Sequence, residues 1–499
     1  MKSGSNEFHG EVYDLLRNEK LNSNSFNNKI NGAPRSRDNQ NDFGFNIGGP
    51  IFVPGFGEGT PIVRSLRDRA FFFFNYEGYR FKQGENVIVT VPTARMRTGD
   101  FGELLTDPQI LGFFGGPVRI YDPRLPSNVR TAIPGNRLDL VGGLINGRPL
   151  IDPAGLAILQ QFPLPNRPGL FRNYQASSIR PTDMNQFTVK TDFVLTDKQR
   201  LTVSYSQRDQ SSVKGGFQRF PEPFVAQGVW DQTFNSKFAR IQHDYTISSN
   251  LLNHLNLGYT YYDVANRNFT DPFNTSSLGI PANATQNVAF PRVGFPGYGD
   301  FITSNDPRAY QDIGSTFFTD RIKDQGIDIS DVVTFVTGRH TFKFGGSVRL
   351  SQFNIRQKID PGGTFNFRND QTASDADPNG GYPIASLITG ATEFAFNFNN
   401  SIDPAFRQMT QSYFIQDDIK VTQNLTVNLG LRYDLPGLRI EANDRFADLI
   451  RLRRILTLAE DPVRLLQQDR ETYRALWRKT INQISDQESE QLMLLTIKP

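Results

Sequence analysis

The chain has 499 residues, with 54 Lys and Arg against 51 Asp and Glu, and the resulting net charge of +3 points to no nucleic-acid partner. It is 37% hydrophobic with a mean hydropathy of −0.45, and no run approaches the ~18–20 apolar residues that a membrane helix needs. Aromatic residues are abundant, 42 Phe and 16 Tyr, and the absence of Cys excludes disulfides and thiolate metal sites.

Taken in order, residues 1–5 carry no apolar segment, so no signal peptide is expected and the true start of an exported protein would lie elsewhere. Residues 7–17 alternate, with Phe8, Val12 and Leu16 on one face and His9, Glu11 and Arg17 on the other, broken by Asp14. Residues 18–41 are a polar loop. Residues 42–80 then read as a hairpin: Phe43, Phe45 and Ile47 alternate with Asp42, Gly44, Asn46 and Gly48, a Pro/Gly-rich turn follows, and Phe72, Phe74 and Tyr76 share a face on the return. The Gly-rich run 55–59 lies between Pro54 and Pro61 with no helix after it, and reads as a hairpin loop. Strand signals stop over 90–185, where Pro, Gly and Asn punctuate the chain and only one short helix is predicted, at 153–161. So long a stretch is expected to be a large, internally packed loop.

From residue 186 the alternation is clearest. Phe187, Val189, Thr191, Phe193 and Leu195 oppose Thr188, Lys190, Asp192 and Val194; Leu201, Val203 and Tyr205 oppose Thr202, Ser204, Ser206 and Arg208. Similar writing follows short turns at 248–250, 337–340 and 422–424, placing Arg349 opposite Val348 and Leu350, and Arg432 opposite Leu431 and Tyr433. Between these turns lie long polar excursions, 209–232, 264–325 and 356–410. Each strand thus has one apolar and one polar face, with short turns at one end and long loops at the other. That is the writing of an all-β, antiparallel outer-membrane barrel, whose strands show only every second residue to lipid. On this reading Lys190, Asp192, Arg349 and Arg432 line the lumen. A soluble sandwich would bury the apolar face instead, and a propeller would need a steadier repeat.

Residues 446–499 break the pattern. Tyr473, Leu476, Trp477, Ile481 and Ile484 recur at helical spacing, so the segment is expected to be a short helical C-terminal tail, either an appendage or sequence foreign to the barrel from a shifted reading frame.

Little chemistry is written into the chain. His9, His243, His254 and His340 are scattered, and no nucleophile elbow, phosphate loop or paired-carboxylate signature is present. No cofactor and no enzymatic activity are expected. Asp375, Asp377 and Asn379, with Gly380, match the first half of a calcium loop, but Ser386 stands where a bidentate Glu is needed, and a polar turn is the preferred reading.

The stretches SGSNEFHGEVYDLLRN, NDFGFNIGGPIF, RAFFFFNYEGYR, VPTARMRTGDF, GRHTFKFGGSVR and YFIQDDIKVTQNLTVNLGLRYD, in this order over residues 3–445, resemble the barrel portion of TonB-dependent outer-membrane receptors, in particular the Oar-like branch common in acidobacteria. The resemblance implies a 22-stranded barrel plugged by an N-terminal domain, partnered by outer-membrane lipid and the TonB complex, and taking up an unidentified ligand, large or oligomeric substrates included. Roughly ten to fourteen strands can be written here. The plug, the TonB-contacting segment and the last strands are therefore expected to be missing, and the sheet to be partial, open or imperfectly closed. Uptake competes with a second expectation, a structural or adhesive surface β-protein whose loops bind and through which nothing passes.

Overall fold

The computed structural model describes residues 3–55, 63–215, 229–269, 272–281, 289–300, 302–314, 318–358, 360–397, 403–443 and 445. The expected helical tail at 446–499 and most of the Gly-rich run 55–59 lie outside these residues.

The chain is built around one 12-stranded antiparallel sheet. Its strands are β1 (His9–Asn18), β2 (Asp38–Pro50), β3 (Ala70–Val89), β4 (Tyr174–Thr196), β5 (Gln199–Gly215), β6 (Val229–Ser248), β7 (Leu251–Asn268), β8 (Phe318–Thr337), β9 (His340–Lys358), β10 (Ala405–Lys420), β11 (Thr426–Pro436) and the short β12 (Ile440–Glu441). From β1 to β11 each strand pairs with its neighbour in sequence, and β12 extends the far end of β10 beyond β11. Among the described residues β1 and β11 do not pair with each other, so the sheet is open, as expected from the strand count.

Local sequence explains the hairpins. Two residues separate β4 from β5, β6 from β7, and β8 from β9, and in the last of these Gly338 sits at φ 56°, where a side chain would be strained. The one long connection on this side joins β2 to β3, and part of it folds into a two-stranded ribbon, Phe52–Pro54 with Val63–Ser65. At the opposite end β3 and β4 run on together to the pair Val89 and Tyr174. Strand β4 therefore begins inside the stretch read as loop. Its first residues lack an apolar alternation because this end of the hairpin stands clear of the apolar band described next.

Register places side chains in rows across the sheet, and one face is apolar. One row on the outer face reads Val203, Ile241, Leu257, Ile329, Val348, and the next reads Val189, Tyr205, Ala239, Tyr259, Ile327, Leu350, Met409. Among the described residues nothing covers them: Ile241 and Ile329 are each 42% exposed. The rise between Phe342 and Leu350 on β9 is about 26 Å at ~3.3 Å per residue, or roughly 20 Å of height at the usual strand tilt. That is close to the apolar band of a membrane barrel. Above it on the same strands stand Gln352, Asn354 and Arg356, and the band ends.

The core lies beyond the sheet. Residues 90–173 and the described parts of 272–313 and 360–397 fold together into one cap with a single hydrophobic cluster that includes Phe101, Leu104, Ile120, Phe290, Tyr310, Tyr382 and Leu387, all buried. The predicted helix at 153–161 is present as Pro153–Leu159, capped by the Asp152 carboxylate, which accepts from the amides of Ala154 and Gly155 at 2.9 Å. It packs on the helix Pro383–Ile388 so closely that a Cβ on Gly155 would meet the Leu387 carbonyl oxygen at 2.1 Å. Backbone bonds join the loops: Tyr121 N donates to Thr372 O (2.9 Å), Gly381 N to Arg119 O (2.7 Å) and Asp152 N to Ile388 O (2.8 Å). The long loop is thus packed, but jointly with two others rather than on itself alone.

Candidate functional site: inner wall and loop cap

The face opposite the apolar band is polar, and register shows how evenly. From β4 to β10 one row runs Lys190, Ser204, Arg240, Gly258, Asp328, Arg349, Thr410. The adjacent row runs Asp192, Thr202, Gln242, Asn256, Ser330, Ser347, Ser412, Asp434 from β4 to β11. Arg432 is two residues from Asp434 on the same strand. All four residues singled out as lumen-lining therefore share one face, because pairing preserves side and strands alternate with period two.

They do not converge on one pocket. Lys190 Nζ lies 3.3 Å from Asp192 Oδ1, which also accepts from Thr202 Oγ1 at 2.7 Å. Arg349 Nε is 3.7 Å from Asp328 Oδ1, and the Arg432 guanidinium is 3.0 Å from Asp434. Lys190 and Arg349 are five strand spacings apart, roughly 24 Å at ~4.8 Å each. The wall thus carries separate, internally balanced charge pairs. The segment before β1 lies against it: Lys190 Nζ donates to Ser3 Oγ, and a Cβ on Gly4 would meet the Phe72 carbonyl oxygen at 2.2 Å.

Sequence reading missed an aromatic patch higher on the same wall. Tyr262 lies 5.3 Å from Phe238 and 6.0 Å from Phe234, with the Arg208 guanidinium 5.5 Å over Phe234. Further round, Phe353 stacks on Phe406, and Arg439 lies 5.9 and 5.7 Å over the two rings. The available signal was aromatic residues at inward parity in β6, where Phe234 and Phe238 fall in step with Gln232, Ser236 and Arg240.

The calcium-loop residues lie in the cap. Asp375 and Asn379 are exposed, while the Asp377 carboxylate accepts from the Tyr121 hydroxyl at 3.0 Å and helps to close the turn. Among the described residues no group of three or more His, Asp or Glu side chains is placed to hold a metal ion. His254 pairs with Asp244 and His340 with Asp417, on opposite faces of the sheet.

Electrostatics in the cap serve its cohesion. Asp122 and Arg124 form a buried pair at 2.7 Å. Burial raises the Asp122 carboxyl, but the guanidinium and backbone amide of Arg124 outweigh it and hold the group below the usual carboxylate range. Burial pushes the hydroxyls of Tyr310 and Tyr382 above the ordinary tyrosine range, and they stay neutral, 3.2 Å apart.

An apolar outer band, a polar inner face, and long loops gathered at one end define the wall of an outer-membrane β-barrel. The chain belongs to that family: the model for the outer membrane beta barrel domain matches residues 1–484, and the protein's place is the outer membrane. No curated protein matches it. Among solved structures it is similar to the outer membrane transporter YddB from Escherichia coli (8% identity, TM-score 0.39, covering 87% of this chain and 40% of that one). Two others are the siderophore receptor PirA from Acinetobacter baumannii (11%, 0.37, 87% and 39%) and the ferric-catecholate import receptor Fiu from E. coli K12 (8%, 0.34, 86% and 50%). The chain spans half or less of the length of each.

Proposed function

We propose that this chain is wall and outer loops of a TonB-dependent receptor of Oar-like type, which takes up an unidentified ligand across the outer membrane. The observation that carries the reading is the pairing of a continuous polar inner wall with a prefolded cap at its loop end. A scaffold that only anchors loops needs the apolar band. It does not need two rows of Ser, Thr, Asn, Gln and charge pairs running from β4 to β10 and β11 beneath the cap. The wall residues Lys190, Asp192, Arg349 and Arg432 then present balanced charge pairs to the lumen, and the aromatic patch around Tyr262 offers ring faces to a ligand that has passed the cap. An adhesive role would leave these inward residues without effect.

The test is uptake in cells that carry the protein, with and without an intact TonB complex, by following which components of a complex peptide medium are depleted. The reading expects at least one component to be lost from the medium only when both are present. Identical depletion with and without the protein would contradict it.

A further inference from the structure

On the inner wall from β4 to β11 the carboxylates have basic partners, with one exception. Asp192 pairs with Lys190, Asp328 with Arg349 and Asp434 with Arg432, while Asp244 pairs with His254 and Asp418 with Lys343. Asp324, inward on β8, is the exception: among the described residues no ion pair or hydrogen bond reaches its carboxylate. Its neighbours on that face are all uncharged. Tyr262 and Phe353 stand directly opposite on either side, Gly326 lies between Thr260 and Ser351 one row below, and Ile322 lies between Val264 and Ile355 one row above. Arg349 reaches up beside Gly326, its Nε 3.9 Å from where a Cβ would stand, but its carboxylate partner is Asp328. Tyr262 and Phe353 are two strand spacings apart, roughly 10 Å at ~4.8 Å each. Both make their ring contacts on the side away from Asp324, Tyr262 with Phe234 and Phe238, Phe353 with Phe406. Each of these aromatic walls already seats a cation of the chain, Arg208 over Phe234 and Arg439 over Phe353 and Phe406. The slot between them has a carboxylate and no cation. Phe353 follows Leu350 by three residues, so the slot stands inside the sheet where the lipid-facing band ends on the loop side.

We propose that this slot binds a cationic group carried on an apolar body, as in a peptide that sets an arginine or lysine beside an aromatic residue. The proposal rests on the uptake reading for how a ligand reaches the slot, and adds the chemistry of that ligand. A guanidinium or ammonium group between Tyr262 and Phe353 comes within reach of both rings and donates to Asp324. It thus combines a cation–π contact with a charge-assisted hydrogen bond. The apolar body lies against Val264, Ile322 and Ile355. Hydration alone satisfies a carboxylate on a wet wall, but it leaves these three aliphatic side chains facing water, and none of them belongs to the cap cluster. An anionic ligand seated here would meet Asp324 as a like charge.

The experiment takes the full chain from outer membranes in mild non-ionic detergent and titrates it with three peptides: acetyl-Phe-Arg-Phe-amide, its uncharged citrulline counterpart, and the glutamate counterpart. The arginine peptide is expected to bind, and loss of its charge to weaken binding roughly tenfold or more, as for a hydrogen bond to a charged group. Asp324→Asn should bring the arginine peptide level with the citrulline peptide, and Tyr262→Leu should weaken it about threefold. Asp197→Asn, at the exposed turn between β4 and β5, should change nothing. Equal binding of the arginine and citrulline peptides by the unaltered chain, or binding of neither, would overturn the proposal, and this arm needs no variant to fold. So would glutamate-peptide binding as tight as that of arginine, or an Asn variant that keeps the full preference. The two readings fail separately. Depletion of medium that needs the protein and TonB, without a charge preference here, keeps uptake and removes the slot. A charge preference here, without such depletion, keeps the slot and removes uptake.

Discussion

At the scale of single residues, the cap is held by a few contacts whose loss is measurable. Asp122→Asn removes the carboxylate from a buried pair, which by itself costs about 3–5 kcal/mol. Arg124 also donates to the carbonyls of Gly143 and Arg148, at 3.1 and 3.4 Å, so the lower end of that range is expected. Faster hydrogen exchange at the amides of Ile120, Asp122 and Ile133 is the readout. The pH dependence has a definite sign. The folded carboxyl titrates below its unfolded value, so its contribution is fully present above the ordinary carboxylate range and is lost as pH falls through the lowered folded value. Acidification should therefore lower the protection of these amides, measured against their intrinsic exchange rate at each pH, and the Asn variant should lose that part of the dependence. Gly155 is the second sensitive position. Gly155→Val has no space against the Leu387 carbonyl, and overpacking there should cost about 1–3 kcal/mol, read as a lower melting temperature of the cap.

At the scale of elements, side and depth are separable. Ile329 lies mid-band beside Leu257 and Val348, Ser330 faces the inner wall, and Val427 faces outward next to the turn, opposite Ile419. Arginine at Ile329 should cost ~2–4 kcal/mol, at Val427 about 0–1, and at Ser330 little, as read by refolding in lipid. The strands and their faces were legible because period two is a local signal: Lys190, Asp192, Arg349 and Arg432 reach one face from alternation alone. The turns were legible too, through Gly338 and the short polar runs. The cap was not. Tyr310, Tyr382 and Phe101 belong to three separate loops, and no local pattern announces that distant apolar residues share a core. The start of β4 was missed because a strand that rises above the lipid no longer needs an apolar face. The register between β8 and β9 shifts between Thr319 and Arg321, and this bulge at Asp320 was likewise invisible, since an extra residue shows only against its partner strand.

At the scale of the whole molecule, the central claim is that one face of the sheet meets lipid and the other meets water. The open edges, β1 and β11, leave strand N–H and C=O groups to be satisfied within the membrane, which lipid cannot do. Pairing of these edges, whether with each other on closer curling or with further strands, should make the protein heat-modifiable on gels when it is folded in membranes. The face assignment is open to a more direct measurement. The chain has no cysteine, so nitroxide side chains can be placed singly from position 327 to 333 on β8 in outer-membrane vesicles. Their collision rates with oxygen, which concentrates in lipid, and with a neutral nickel chelate, which stays in water, report the surroundings of each site. The account predicts alternation with period two, oxygen high at Ile327, Ile329 and Val333, and nickel high at Asp328, Ser330 and Val332. No alternation, or alternation in the opposite phase, would contradict it.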